Sequence, residues 1–378
     1  MVIWPIGRVT RAFTLTVLTV ALFGCGNDDG SGGGGAQSIV VFGPETNRLN
    51  AYDVNNGFAK QTVIPSHDDD PQNGLDINGM VCFTRDGERR FVAGEDTGQP
   101  VSSPGWGYFQ LLGDEVGDFS AAEIGKMIPT FQDSEDNREP YGCGFLSDGR
   151  LLTTDVGNQA AGPPTGQLII WFPPYAGPFG TPRYCKLDIT IGTAGGIYVD
   201  AQDRVYVASA RGDGFGVLRY SPPFPTSDDA AGGCGQMDGT GAPLATQVNK
   251  EQFIAGGPSL PAPSGITQSP EGTFYVSSVI SGTINEYNAD GELLRRVLRP
   301  AQGEQAPFST GTPFGLAIDS EGSLYYADLG VVIMLPDIGP GPNLGTVRRI
   351  RFVDGEPQAP DTIDSGLNFP DGITVLEE

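Results

Sequence analysis

Short apolar runs separated by polar turns recur along most of this chain in one repeating pattern. Each copy begins with Gly, continues as a short apolar strand and a polar turn ending in Gly, and then has a second strand. Asp-Gly or Glu-Gly at such a turn supplies the positive φ that a tight connection between antiparallel strands requires. The copies are residues 79–93, 142–155, 196–209, 265–278 and 315–328; Asp203 replaces the second Gly of the third copy, and the first copy is one residue longer. The pattern therefore predicts a series of β-hairpins.

A third strand follows each hairpin, and several copies have a fourth. Third strands are predicted at 168–172, 217–221, 284–288 and 347–352, and the run at 292–298 is typical of a fourth. Four antiparallel strands repeated every 50 to 70 residues or so are typical of a β-propeller blade.

The two ends of this region are incomplete in complementary ways. Residues 38–64 contain three strands without an innermost partner, whereas residues 372–378 (GITVLEE) form an innermost strand without outer ones. Joined, they make a sixth blade and leave no exposed sheet edge where the ring closes. We therefore predict an all-β fold over residues 38–378, a six-bladed β-propeller closed by a C-terminal innermost strand joined to N-terminal outer strands. A pair of β-sandwich domains is the alternative, and it does not explain the complementary ends.

The N-terminus is typical of a secretory signal. Arg8 and Arg11 form a positively charged segment. They precede an apolar run at 12–23 that is too short to span a bilayer. The run ends in LFGC at 22–25, which resembles the lipobox of bacterial lipoproteins, in which cleavage precedes the Cys and its thiol is diacylated. The resemblance implies a signal peptide at 1–24 and lipidation at Cys25, followed by a flexible Gly/Ser tether through residue 37. An ordinary signal peptide with an incidental Cys is the alternative.

The expected location follows from the same segment. Gly26 stands where an Asp would favour retention in the inner membrane. We therefore expect a lipid-anchored protein of the cell envelope, in the outer membrane and facing the periplasm or the cell surface. Acyl chains hold such a domain at a membrane without a transmembrane helix.

Charge excludes one class of partner. The chain has 22 basic and 46 acidic residues, a formal net charge of −24. A phosphate backbone requires a basic footprint, so nucleic acid is not expected as a partner. The charge instead suits a cation, a cationic partner or simple solubility.

Histidine-dependent chemistry is also disfavoured. His67 is the only histidine, and it lies in an acidic segment predicted to lead into the first full blade. Hydrolases of the Ser-His-Asp or Cys-His type need an imidazole beside the nucleophile, and histidine zinc sites need more than one. The sequence has no nucleophile elbow, P-loop or dinucleotide fingerprint.

The cysteines after Cys25 indicate disulfides. An even set in an exported protein favours a disulfide framework, and four cysteines allow three pairings. Cys82 and Cys143 fall on predicted innermost strands of adjacent blades, and Cys185 and Cys234 flank the third blade. We favour these two pairs; the spacing of a four-Cys metal site is absent.

Short motifs resemble known propeller families. Residues 155–158 (DVGN) look like a turn of NHL-repeat propellers, and residues 328–330 (DLG) are a partial copy. Residues 369–372 (FPDG) and Asn78-Gly79 look like strand starts of the regucalcin/gluconolactonase family. That resemblance implies a divalent cation, Ca²⁺, bound by one Glu and one or two Asn/Asp ligands, with an acid acting in catalysis.

The candidate site lies where the innermost strands begin. The residues before the innermost-strand glycines should face the central tunnel, and most of the acidic residues are expected on this same face, which we call the mouth face. Asn78 and Asp371 would be neighbours if the first and sixth blades adjoin, with Glu139 or Glu95 completing a calcium site. The other tunnel positions depart from the family pattern, with Tyr141, Gly195, Ser264 and Phe314.

Two functions remain. The first is a membrane-tethered extracytoplasmic propeller that binds a small molecule, protein partner or divalent cation on its acidic mouth face. The second is a calcium-dependent lactonase or esterase in which the cation polarises an ester carbonyl and a carboxylate activates water. The missing catalytic bases and the incomplete ligand ring favour the first, because fold alone does not imply function.

Overall fold

A computed structural model describes residues 38–45, 47–95, 105–128, 140–157, 166–175, 183–212, 214–334 and 337–377. The strands are, in chain order, β1 (Ile39–Glu45), β2 (Arg48–Asp53), β3 (Ala59–Ile64), β4 (Ile77–Phe83), β5 (Arg90–Glu95), β6 (Gly105–Leu112), β7 (Ser120–Met127), β8 (Pro140–Phe145), β9 (Leu151–Asp155), β10 (Gly166–Trp171), β11 (Tyr184–Ile191), β12 (Ala194–Val199), β13 (Val205–Ser209), β14 (Gly216–Ser221), β15 (Gln236–Met237), β16 (Pro243–Leu244), β17 (Asn249–Ala255), β18 (Pro263–Gln268), β19 (Phe274–Ser278), β20 (Thr283–Tyr287), β21 (Leu293–Leu298), β22 (Pro313–Ile318), β23 (Leu324–Asp328), β24 (Val331–Met334), β25 (Asp337–Pro340), β26 (Gly345–Ile350), β27 (Phe352–Val353), β28 (Glu356–Pro357), β29 (Asp361–Leu367) and β30 (Thr374–Glu377).

These strands form a six-bladed β-propeller. From the inside outward, blade 1 is β4–β5–β6–β7, blade 2 begins β8–β9–β10–β11, and blade 3 is β12–β13–β14–β17. Blade 4 is β18–β19–β20–β21, blade 5 is β22–β23–β26–β29, and blade 6 is β30–β1–β2–β3. The innermost strands contact one another in ring order, and β30 returns to β4. The predicted fold class is confirmed.

Ring closure also follows the prediction. The C-terminal strand β30 pairs with β1 in antiparallel register, from Ile39 opposite Glu377 to Phe42 opposite Thr374. The last strand of the chain therefore becomes the innermost strand of the blade that the N-terminal strands begin.

The apolar core lies between the blades. Both faces of a blade are covered by neighbouring blades, so the second strands β9, β13, β19 and β23 are buried at every position. Such strands lack the apolar–polar alternation of a strand with one exposed face, as expected for sheets covered on both faces. This explains why sequences such as LYYAD at 324–328 have no polar face.

The hairpin turns lie on the face opposite the mouth, which we call the turn face. Asp203 adopts φ 59° in the position that Gly occupies in the other copies, and its carboxylate accepts hydrogen bonds from the backbone N–H (2.8 Å) and the hydroxyl (2.6 Å) of Ser147 in blade 2. The substitution therefore keeps the left-handed turn, which Asp tolerates, and adds a contact between blades. Turn carboxylates such as Asp200 and Asp319 also lie here, so the acidic residues are not confined to the mouth face.

An insertion in blade 3 covers the outer edge of blade 2. This insertion was not predicted from the sequence. Strand β16 pairs in parallel with β11, and β15 extends the sheet further. The disulfide Cys185–Cys234 links β11 to this insertion, and Lys186 forms a buried ion pair with Asp238 beside it. The second disulfide joins Cys82 and Cys143 on adjacent innermost strands. Both predicted pairings are confirmed.

A Tyr–Lys–Asp trio joins neighbouring blades. Tyr220 on β14 and Lys250 on β17 are cross-strand partners in blade 3, and both reach Asp188 of blade 2, at 2.7 and 2.6 Å. Although burial opposes ionisation, the hydrogen bonds from Lys250, Thr190 and Tyr220 hold the pKa of Asp188 below its ordinary value. Blades 6 and 5 repeat the arrangement with Tyr52, Lys60 and Asp364.

Candidate functional site

Glycines bring the innermost strands unusually close together around the axis. A Cβ on Gly372 of blade 6 would lie 2.0 Å from the backbone oxygen of Gly79 in blade 1, and one on Gly265 would lie 2.3 Å from that of Phe314. Gly142, Gly196 and Gly315 make the same approach to the next blade, at 2.6, 2.9 and 2.6 Å from a backbone oxygen. The repeated glycine that opens each copy is therefore required by blade-to-blade packing.

Side chains from opposite blades fill the axis beside this ring. Tyr141 of blade 2 meets Phe314 of blade 5 with ring centroids 4.9 Å apart, and the Tyr141 hydroxyl donates to the backbone oxygen of Asp371 in blade 6 at 3.1 Å. Burial, together with the Asp371 charge, raises the pKa of Tyr141 well above its ordinary value, so the hydroxyl stays a donor. The aromatic pair forms the floor of the mouth.

Met80 also enters the axis. It is the extra residue of the longer first copy, and it lies in the bulge between Asn78 and Val81. Its Sδ lies 3.5 Å from the position of a Cβ on Gly196 of blade 3. This role was not predicted from the sequence, although the one-residue length difference was the signal for it.

Asp371 closes the ring between blades 6 and 1. Its Oδ2 accepts the backbone N–H of Gly79 and its Oδ1 accepts that of Gly372, both at 2.8 Å. In blade 2 the equivalent N–H, on Gly142, is instead accepted by the hydroxyl of Thr154 at 2.7 Å. Blade 1 has Gly94 at the position of Thr154, so the carboxylate of the neighbouring blade takes over this hydrogen bond.

Asn78 lies directly beside Asp371, as expected. It precedes the Gly79 that binds the Asp371 carboxylate, and it occupies the repeat position of Tyr141 and Phe314. Its Oδ1 is buried and has no hydrogen-bond partner among the described residues. A buried amide oxygen without a partner is unfavourable, so this atom is a candidate for further contacts.

Glu95 lies away from this pair. The register places Ile77 opposite Glu95 and Asn78 opposite Gly94, so Asn78 and Glu95 project from opposite faces of blade 1. The carboxylate is fully buried and forms an ion pair with Lys126 of β7. Gly107, between them on β6, leaves the space, because a Cβ there would lie 2.6 Å from Glu95 Oε1.

The carboxylates of the DxG motifs cap turns. Asp155 Oδ1 and Asp328 Oδ1 each accept the N–H of the Gly two residues later, at 2.9 Å. The two motifs therefore form the same kind of turn, in which the Asp side chain caps the N–H of the Gly.

His67 lies in the loop that leads into blade 1. Its Nδ1 is buried without a partner in the described part of the chain, and its backbone N–H bonds to Asp76. Burial, reinforced by Asp68, raises the pKa of Asp76. No described nucleophile is hydrogen-bonded to the imidazole.

Several predicted features lie outside the described residues. These are Glu139, Cys25, the signal peptide at 1–24 and the tether at 25–37. Within the described ranges, no set of three or more His, Cys, Asp or Glu side chains is arranged to hold a metal ion. In the same part of the chain, no helix has the length and apolar character to cross a membrane.

Comparison with solved structures finds propeller proteins of low sequence identity. A protein from Lactobacillus plantarum is 9% identical, with 91% of this chain and 100% of that chain covered and a TM-score of 0.49. Virginiamycin B lyase from Staphylococcus aureus is 12% identical, with 83% and 76% covered and a TM-score of 0.45. A proposed gluconolactonase is 13% identical, with 77% and 89% covered and a TM-score of 0.43. No protein-family profile and no curated protein matches this chain.

Proposed function

We propose that this protein is an exported, lipid-anchored propeller that binds a ligand at the mouth of its axis. The observation that carries the proposal is the buried, unpartnered Oδ1 of Asn78, the residue before the Gly79 whose N–H binds the Asp371 carboxylate. A native protein rarely leaves such an atom without a partner. A bound ion or donor group would satisfy it.

The chemistry of the mouth favours a cation or a cationic group. Asn78 Oδ1 and the carboxylate oxygens of Asp371 are hydrogen-bond acceptors, and the carboxylate carries a negative charge. Carboxylate and amide oxygens are the ligands that Ca²⁺ prefers. The first candidate is therefore Ca²⁺, with an ammonium group of a small molecule or protein partner as the other class.

Calcium titration by calorimetry on the full mature chain tests this proposal. The informative variant is Asn78→Ala, because its Oδ1 has no described partner whose loss would destabilise the fold. Asp371→Ala would instead remove the acceptor of the Gly79 N–H and weaken ring closure. We expect calcium binding that Asn78→Ala weakens at least tenfold and that the exposed control Asn249→Ala preserves.

An unchanged calcium affinity in Asn78→Ala would remove the calcium site. A parallel titration with a primary amine such as n-butylamine tests the cationic-group hypothesis, which requires that Asn78→Ala also weaken binding of the amine. If Asn78→Ala changes the affinity for neither Ca²⁺ nor the amine, the proposed mouth site is refuted.

The calcium-dependent lactonase or esterase is the second candidate, favoured by the adjacency of Asn78 and Asp371. In that reaction the cation would polarise the ester carbonyl. A panel of lactones and aryl esters, with and without Ca²⁺, decides between the two. The binding proposal expects no turnover above background, and calcium-dependent turnover abolished by Asn78→Ala would establish the hydrolase instead.

The lipid anchor is proposed from residues 22–25 and is tested separately. We expect mass spectrometry of the mature N-terminus to show a diacylated Cys25, and membrane fractionation to place the protein in the outer membrane. An N-terminus at another residue, or an unmodified Cys25, would refute the anchor without affecting the mouth site.

A further inference from the structure

A cleft lies on the mouth face of blade 5, and its lining includes neither Asn78 nor Asp371. It is a cleft of about 70 Å³ between the segment that leads into β22, the end of β23 and the start of β26. The residues that line it include Phe308, Val331, Leu344, Asp328 and Arg348. All of them belong to the part of the chain that the structure describes.

The floor of the cleft is a neutralised ion pair. Asp328 is almost fully buried, and its Oδ2 accepts the Thr346 hydroxyl at 2.8 Å and Arg348 Nη2 at 3.3 Å. Its Oδ1 accepts the N–H groups of Thr312 and Gly330, at 2.6 and 2.9 Å. The carboxylate is thus saturated by the protein, and its charge is balanced by Arg348.

Arg348 retains donor capacity toward the cleft. Its Nε donates to the Thr346 hydroxyl and its Nη1 donates to the backbone oxygen of Ser309, both at 2.7 Å. Asp328 and the Tyr326 hydroxyl are its remaining partners. A guanidinium has one more N–H than these acceptors occupy. Its side chain keeps 16% of its surface exposed, so the cleft offers a donor and no unsatisfied carboxylate.

Two glycines let the segments around the cleft pack closely against each other. A Cβ on Gly311 would lie 2.3 Å from the Asp328 carboxylate, and one on Gly330 would lie 2.5 Å from the Leu344 backbone. Both glycines have positive φ, of 75° and 63°. The side chains of Phe308, Val331 and Leu344 then provide the apolar lining.

We propose that this cleft binds a short neutral acyl group, which has a carbonyl oxygen and a small apolar body. A water-sized group needs roughly 10–15 Å³ of cavity volume. The cleft has about 70 Å³ and therefore accommodates about five or six non-hydrogen atoms. The carbonyl accepts a hydrogen bond from Arg348, and the alkyl part contacts Val331 and Leu344. A free carboxylate fits less well, because the Asp328 charge already balances the guanidinium.

Methyl NMR with isobutyramide as the probe tests this site on the full mature chain. We expect saturable shifts of the Val331 and Leu344 methyl signals with a millimolar dissociation constant, as a fragment of this size gives. Isobutyrate carries a negative charge and isopropanol has no carbonyl, so each should bind at least fivefold more weakly than isobutyramide.

Leu344→Trp blocks the cleft from an exposed wall, since Leu344 is 42% exposed and its replacement does not disturb the core. The matched control is Leu294→Trp, at a similarly exposed position on β21 of blade 4. We expect the Val331 shifts to disappear in Leu344→Trp and to persist in Leu294→Trp. Equal binding of isopropanol would overturn the acyl assignment, and an absence of saturable shifts, or their persistence in Leu344→Trp, would overturn the site.

Discussion

A methyl group added to Gly372 should open the propeller ring. In Gly372→Ala the new Cβ would lie 2.0 Å from the Gly79 oxygen, 2.6 Å from its carbonyl carbon and 2.8 Å from Met80 Cα. All three atoms are backbone, so no rotamer change relieves the contact. Gly372 does not have positive φ, so backbone strain does not contribute and the effect is steric.

The magnitude follows from the distance. Ordinary contacts of a Cβ begin at 3.4 Å, so blades 6 and 1 would have to separate by about 1.4 Å. Overpacking a close-packed interior typically costs about 1–3 kcal/mol. Because blades 6 and 1 are also joined by the Asp371 hydrogen bond to Gly79, separation sacrifices that interaction as well. We expect a loss of about 3 kcal/mol or more in the free energy of unfolding.

Guanidinium unfolding, followed by the fluorescence of the buried Trp106 and Trp171, measures this loss. Gly265→Ala and Gly196→Ala complete a series, with nearest backbone oxygens at 2.3 and 2.9 Å, so the losses should decrease in the order 372, 265, 196. Gly239→Ala is the control, because nothing lies within 4 Å of its Cβ position; we expect a change below about 0.5 kcal/mol. A loss below about 1 kcal/mol for Gly372→Ala, or a series without this order, would refute the steric reasoning.

Three further predictions concern contacts between blades. The pKa of Asp188 is lower in the folded state than in the unfolded chain, where it is near 4. The ionised carboxylate therefore stabilises the fold above the unfolded pKa, and this stabilisation is lost as pH falls through the folded pKa. Urea unfolding should therefore show wild type more stable than Asp188→Asn at pH 7, with the difference shrinking toward pH 3; a difference independent of pH would contradict this. Asp238→Ala should lower the free energy of unfolding by about 3–5 kcal/mol, because it removes the ion-pair partner of the buried Lys186, whereas Lys186→Met with Asp238→Leu should recover most of this loss. Chemical denaturation measures both, and no recovery in the double variant would contradict the explanation. Replacing Cys185 and Cys234 by Ser should lower stability by up to about 4 kcal/mol for a separation of 49 residues, read as a lower Tm under non-reducing conditions, in which the Cys82–Cys143 disulfide stays intact; an unchanged Tm would mean that the disulfide does not restrain the unfolded chain.

Much of the architecture was predictable because it depends on local patterns. The Gly-strand-turn-Gly-strand copies predicted the hairpins, and the complementary ends predicted the pairing of β30 with β1. The two disulfides were predictable because their cysteines fall on or near adjacent blades once the repeat is aligned. The insertion strands β15 and β16 were not, because two-residue strands have too few residues for a periodic signal.

The candidate site was only partly predictable. The repeat placed Asn78 beside Asp371, because residues at equivalent positions of adjacent blades become neighbours in a closed ring. The same reasoning could not show that Asp371 accepts the Gly79 N–H where blade 2 uses Thr154, or that Lys126 neutralises Glu95. Those partnerships depend on side-chain directions across neighbouring strands and blades.

The sequence by itself determined the blade count, the closure and the identity of the residues at the start of each innermost strand. Local turn chemistry and strand length set these features, and both are written in the repeat. Only the tertiary structure decided which of those residues meet. Tyr141 and Phe314 are 173 positions apart and contact across the axis because the ring places blades 2 and 5 opposite each other. That contact, with Met80 beside it, fills the axis and leaves the mouth at Asn78 and Asp371 as the candidate binding position.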